Sequence, residues 1–291
     1  MHDTVHTAMK NCLLIALAAI IFSGCANKTT DNSLTTDGLN GSVKSVTSVC
    51  YEPILVNGNV QKGEPVFVRD YWMPLYSGCT NVYNADGNLA RTTTFDQFGA
   101  ITDVSVFEYR DNDCIATSIY DGEGELSYSW RIVFEDGKAI DYETYNRDGN
   151  DEGETIEYEF EGNHLKAESH FSYGRLIQAE HNTYQNGKLV LTTTTTADGT
   201  ELLRYEQQWT GSGQVKSRRG IHNGVEGLFE EFTYNDHHQL ISYTRSGSWA
   251  NGDVRYTFDY LTFDQQGNWL TRVIYSASNP CFFEERTIEY Y

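Results

Sequence analysis

Glu157, Glu159 and Glu161 alternate along one stretch of chain. On a strand, alternation puts their carboxylates on one face at about 6.6 to 7 Å. That spacing suits the acid and base of an inverting glycoside hydrolase. A solvated acidic face has the same pattern in a chain with 41 acidic residues, and no pocket can be inferred around these three, so no catalytic residue is assigned. His164, His170, His181, His222, His237 and His238 are scattered without an HExxH pair, and no GxSxG nucleophile turn is present. Residues 146–152 read Asn-Arg-Asp-Gly-Asn-Asp-Glu, like a calcium loop, but the EF-hand register would put Thr144 and Thr155 where an acid is required. No CxxC pair exists and no histidine stands at ligand spacing from a cysteine, so neither a metal nor another cofactor is expected. What remains is aromatic: 20 Tyr and 5 Trp, residues suited to sugar faces and protein interfaces alike. Trp249, Tyr256, Tyr260 and Trp269 are the candidate binding face, if they form an open strip rather than a cross-strand ladder inside the core.

The elements that carry these residues are marked by glycine. Gly99, Gly124, Gly149, Gly174, Gly199 and Gly224 stand 25 residues apart; Gly87, Gly137, Gly162 and Gly187 form a second series on the same step, with Asn112 filling its gap. The chain therefore reverses about every 12 to 13 residues, the mark of a repeat array. Between reversals the period is two: Leu126, Tyr128, Trp130, Ile132 and Phe134 point one way, and Ile156, Tyr158 and Phe160 alternate with the three glutamates. No proline occurs from Leu75 to Asn279, as expected where every N–H is needed in a ladder. The fold class read from this is all-β: an extended antiparallel meander of hairpin repeats, two strands per 25 residues and about 14 strands in the repeat region. Such a sheet would run on the order of 65 Å if flat, so it must twist or curl to cover its aromatic face.

The N-terminus supplies an address. Lys10 and Asn11 precede an uncharged run, Cys12 to Phe22, too short to span a bilayer and suited to an export signal. It ends in Phe22-Ser23-Gly24-Cys25, which resembles the lipobox of bacterial lipoproteins. The resemblance implies a signal peptide over residues 1–24, with the true start at Met1 or Met9, and a lipid on Cys25 that anchors the chain to the cell envelope, with the outer membrane as the expected address. Residues 25–38 are small and polar and read as a flexible tether, 39–82 as an N-terminal β cap, and 83–291 as the repeat sheet. The net charge of −20, with no basic cluster beyond Lys216, Arg218 and Arg219, excludes nucleic acid as a partner. Export permits disulfides among Cys50, Cys79, Cys114 and Cys281, and Cys50 with Cys79 is the first choice because both lie outside the repeats.

The turns share a pattern: aromatic, acid or amide, two spacers, glycine, spacer, apolar residue. Tyr83-Asn84-Ala85-Asp86-Gly87-Asn88-Leu89, Phe95-Asp96-Gln97-Phe98-Gly99-Ala100-Ile101, Tyr120-Asp121-Gly122-Glu123-Gly124-Glu125-Leu126 and Phe263-Asp264-Gln265-Gln266-Gly267-Asn268-Trp269 all follow it. This resembles the YD repeat of RHS-type proteins, and small bacterial envelope lipoproteins built from degenerate copies of it. Tyr184 to Leu189 is one residue short, and Tyr234 to Leu240 has lost the glycine. The resemblance implies a non-enzymatic scaffold or binding surface for protein or glycan. A glycan-processing accessory enzyme and a purely structural spacer are the alternatives.

Overall fold

The computed structural model describes residues 32–66, 78–96, 98–110, 112–147, 154–162, 164–249 and 252–291. It is almost entirely strand, with one helical turn, α1 (Ser33–Thr36). The strands are β1 (Val43–Val56), β2 (Asn59–Val66), β3 (Cys79–Tyr83), β4 (Leu89–Phe95), β5 (Ile101–Arg110), β6 (Asp113–Asp121), β7 (Leu126–Glu135), β8 (Lys138–Asn146) and β9 (Glu154–Glu161). They continue as β10 (His164–Ser172), β11 (Arg175–Gln185), β12 (Lys188–Thr196), β13 (Glu201–Trp209), β14 (Val215–His222), β15 (Val225–Tyr234), β16 (Leu240–Ser246), β17 (Val254–Phe263), β18 (Trp269–Ser276) and β19 (Asn279–Tyr290). Sixteen of the nineteen begin after residue 88, two more than the spacing argument expects.

Local chemistry explains the reversals. Asn84, Asp96, Asp121, Asn235 and Asp264 each turn a side-chain oxygen back to accept from the amides two and four residues on, at 2.8 to 3.1 Å. The turn then needs one residue at positive φ, which glycine takes without a steric cost. Gly87, Gly99, Gly124 and Gly267 sit at φ of 81 to 86°. Where the repeat has lost its glycine, His238 takes that conformation instead, at φ 62°. The short turn after Tyr184 is a two-residue hairpin with Asn186 and Gly187 both at positive φ. Gly149 lies outside the described residues.

Neighbouring turns are stitched by the polar tips of aromatics. Tyr184 Oη donates to the Leu165 carbonyl at 3.2 Å, Trp209 Nε1 to that of Leu189 at 2.9 Å and Tyr260 Oη to that of Leu240 at 2.8 Å. In each case the acceptor is the aliphatic residue that opens the strand after the preceding turn at the same end, so apolar burial and hydrogen bonding act on the same repeat contact.

The meander curls on itself into one nearly closed, barrel-like antiparallel sheet. Ladders join β3 to β8 in sequence and β9 to β19 in sequence. β1 bridges the two arms, pairing with β19 on one side and with β3 and then β2 on the other. Residues 39–82 thus supply the strand that closes the sheet as well as a hairpin, β1–β2, that extends past it. Among the described residues no ladder joins β8 to β9, and this seam is where the ring stays open. Closure covers the aromatics: Phe232, Tyr243 and Tyr256 sit side by side across β15–β17, and Phe258, Ile274 and Phe282 across β17–β19.

Residues 32–38, the end of the segment read as a tether, are docked on the sheet. The Leu34 amide donates to the Gly87 carbonyl at 3.0 Å, and Leu34 and Leu39 pack with Val43, Val46 and Tyr83. Two residues further on, Asn40 exchanges hydrogen bonds with the Asn268 side chain at 2.7 and 2.9 Å. The segment therefore lies across one end of the sheet, from the Asn84 turn to the Asp264 turn. The reason is local: Asn32 caps α1, and two leucines then have an apolar surface to cover. The short α1 is not long enough to cross a membrane, which leaves crossing by strands untouched.

Candidate functional site

The four aromatics chosen from the sequence do not form one open strip. Trp269 is only 7% exposed, with Arg272 and Arg286 guanidinium carbons 4.4 and 3.6 Å from its ring centroid. Tyr260 tilts against Trp269 at 5.7 Å, and Tyr256 stacks near Tyr243 at 6.4 Å inside the core cluster. Alternation places these residues on one face, and curling of the sheet then covers that face.

Trp249 stands apart, in the loop after β16. Its amide donates to the Gly227 carbonyl at 2.7 Å and its ring lies flat on backbone. A Cβ on Gly227 would be 1.9 Å from Trp249 Cε2, and one on Gly220 2.4 Å from Cζ3. The glycines are there to admit the indole, which Tyr205 and His222 flank edge-on at 6.1 and 6.4 Å. Gly227→Ala should therefore expel Trp249, lower stability by about 1–3 kcal/mol, and add one acrylamide-quenchable tryptophan relative to wild type. Unchanged quenching would refute the packing.

The groups with perturbed chemistry lie elsewhere. Glu168 on β10 and Glu180 on β11 are direct cross-strand partners, with buried Thr194 on the far side of Glu180. His170 Nε2 lies 2.6 Å from Glu168 Oε1, so the imidazole engages that carboxylate. Burial, and then the charge of Glu168, push the Glu180 carboxyl up to about 8. A carboxyl that holds its proton near neutrality beside a second carboxylate is the arrangement of an acid and a base. Sequence reasoning missed this pair because both strands carry polar residues at either parity, leaving no alternation to flag it. Glu157, Glu159 and Glu161 are exposed by contrast, and Glu159 accepts from Lys166 Nζ at 2.7 Å.

A second buried cluster joins β18 and β19. Arg272 Nε donates to Glu284 Oε2 at 2.6 Å, Glu284 being 0% exposed. Near it, in the docked segment, Asp37 accepts from Tyr83 Oη at 2.6 Å. Burial lifts the Asp37 carboxyl above the ordinary range, against the pull of that hydrogen bond and of Arg286.

Cys50 and Cys79 are both buried on the adjacent strands β1 and β3. Cys79 is opposite Ser48, two residues from Cys50, so the pair are diagonal neighbours and their disulfide stays a proposal. As a thiol, Cys79 is pushed up to about 12, by burial first and the Glu284 charge second. Cys25 and most of the Asn146–Glu152 loop lie outside the described residues.

The remaining candidate is a rim. The four most exposed large apolar side chains among the described residues are Phe98 (84%), Tyr173 (83%), Leu55 (68%) and Val225 (67%). Strand direction puts all four at one end of the sheet, opposite the end crossed by residues 32–40.

No protein-family model matches the sequence, and no curated protein matches it. Among solved structures, a porin-like protein from Bacteroides uniformis ATCC 8492 aligns over 86% of this chain and 98% of its own, with 11% identity and a TM-score of 0.36. Another, from Bacteroides vulgatus ATCC 8482, aligns over 84% and 98%, with 9% identity and a TM-score of 0.29. The TcdB2-TccC3-TEV structure aligns over 82% of this chain but 11% of its own, with 17% identity and a TM-score of 0.32. At scores this low the likeness transfers no activity, ligand or address to this chain.

Proposed function

We propose that the chain is an exported, lipid-anchored envelope protein, at the outer membrane, whose curled repeat sheet is a non-enzymatic scaffold presenting a binding surface for protein or glycan. One observation carries this reading: exposed apolar side chains gather at the end opposite the docked N-terminal segment. Cys25 precedes Asn32 by seven residues, which reach at most about 25 Å. A lipid on Cys25 holds the docked end toward the membrane and turns Phe98, Tyr173, Leu55 and Val225 away from it, where a partner can reach them. The YD-like turn chemistry supports the same class, since a repeat sheet offers area rather than a pocket.

Cys25→Ser should move the protein from the membrane fraction to the soluble one and abolish incorporation of labelled fatty acid. Continued labelling would overturn the anchor. In the anchored protein, Phe98→Ser with Tyr173→Ser should weaken glycan-array binding or defined crosslinks at least tenfold without shifting the thermal midpoint. Loss of neither would remove the rim from the proposal.

The Glu168–Glu180 pair favours a second reading, a glycan-processing accessory enzyme that uses Glu180 as acid. It requires turnover of a cell-wall or capsular glycan by the purified wild type, lost in Glu180→Gln with the fold intact. Absence of turnover across such glycans removes it.

A further inference from the structure

The open seam carries an inference that does not depend on the rim. Among the described residues β8 is laddered on one side, to β7, and β9 on one side, to β10. Consecutive residues Glu143, Thr144 and Tyr145 on β8 are exposed, as are Thr155, Ile156 and Glu157 on β9. Consecutive exposure on a strand means that both faces are open as well as the edge. An edge of this kind is a template for another strand.

What it would accept follows from charge and spacing. Glu157, Glu159 and Glu161 point to one face at the two-residue step of a strand, and Glu143 is exposed across the seam. The Lys166 contact of Glu159 is exposed and exchangeable. A second copy of this chain would bring the same acids to the same edge, in a molecule of net charge −20, and like charges directly opposite are unfavourable. A strand with a basic residue at every second position meets the row of glutamates in register. We propose that the β8–β9 seam is a strand-addition site for an extended peptide segment that alternates basic residues. Backbone hydrogen bonds to the open edge hold the segment, and the acidic row selects it.

The test uses the full chain and a capped ten-residue peptide alternating lysine with valine. Hydrogen exchange should slow at amides in residues 139–146 or 155–161, binding should weaken with salt, and the peptide with glutamate in place of lysine should bind at least tenfold more weakly. Glu157→Lys with Glu161→Lys should reverse that preference. Adjacent strand amides point to opposite sides, so of Thr155→Pro and Ile156→Pro one removes an amide from the β10 ladder and the other from the open edge. The variant that keeps the wild-type circular dichroism should lose peptide protection at least tenfold. Three results overturn the proposal: equal binding of both peptides, protection confined to other strands, or seam amides already protected without peptide in a manner that rises with protein concentration, which would make the occupant a second copy.

Discussion

Glu284→Gln should lower the free energy of unfolding by about 3–5 kcal/mol, read as a shift in urea midpoint at unchanged slope. Glu284 is the carboxylate that faces two buried guanidinia. Arg272 donates to it through Nε and lies within 2.6 Å through Nη2. Arg286 stacks on Trp269, and its Nε is buried without a hydrogen-bond partner. Burial drives the Arg286 guanidinium below its ordinary range, and the Glu284 charge pulls it back. A neutral amide would leave two like charges desolvated on either side of one indole. By contrast, Arg131→Ala removes only the exposed pair with Glu108 and should leave the midpoint where it is. If Glu284→Gln and Arg131→Ala behave alike, the buried charge cluster is not what ties β18 to β19.

The second large effect is on pH dependence. Glu180 has an ordinary value of 4.5 and a folded value raised to about 8. A carboxyl whose folded value is raised binds its proton more tightly in the native state. Its contribution to stability is therefore complete below the unfolded value and is lost as pH rises through about 8. Between those limits wild type should lose stability relative to Glu180→Gln with a slope of up to ~1.4 kcal/mol per pH unit, because glutamine stays neutral throughout. Urea midpoints at about pH 5, 7 and 9 give the comparison. A constant gap between the two proteins would mean that Glu180 is not held protonated by its neighbours.

The reversals were legible because a turn is decided within five residues. Asp264 caps its own loop and Gly267 takes positive φ whatever surrounds them, so the 25-residue register read from sequence is the register of the sheet. His238 shows the limit of that reading, since a missing glycine did not mean a missing turn. Residues 32–38 show another: composition says small and polar, but Leu34 and Leu39 answer to a surface built by β1 and β3 far along the chain.

Alternation determined which side chains share a face, and with it that the protein is an all-β repeat sheet. Whether a face is covered depends on how far the sheet curls and on what β1 pairs with, both set by contacts more than two hundred residues apart, such as Val46 with Ile288. For that reason Trp269 could be named as an aromatic of interest but not as a buried one. The pairing of Glu168 with Glu180, the enclosure of Glu284, the glycine floor under Trp249 and the unjoined edges of β8 and β9 belong to the tertiary structure alone. Each is a juxtaposition across strands or loops, where charge, packing and desolvation act through space and leave no periodic trace in the chain.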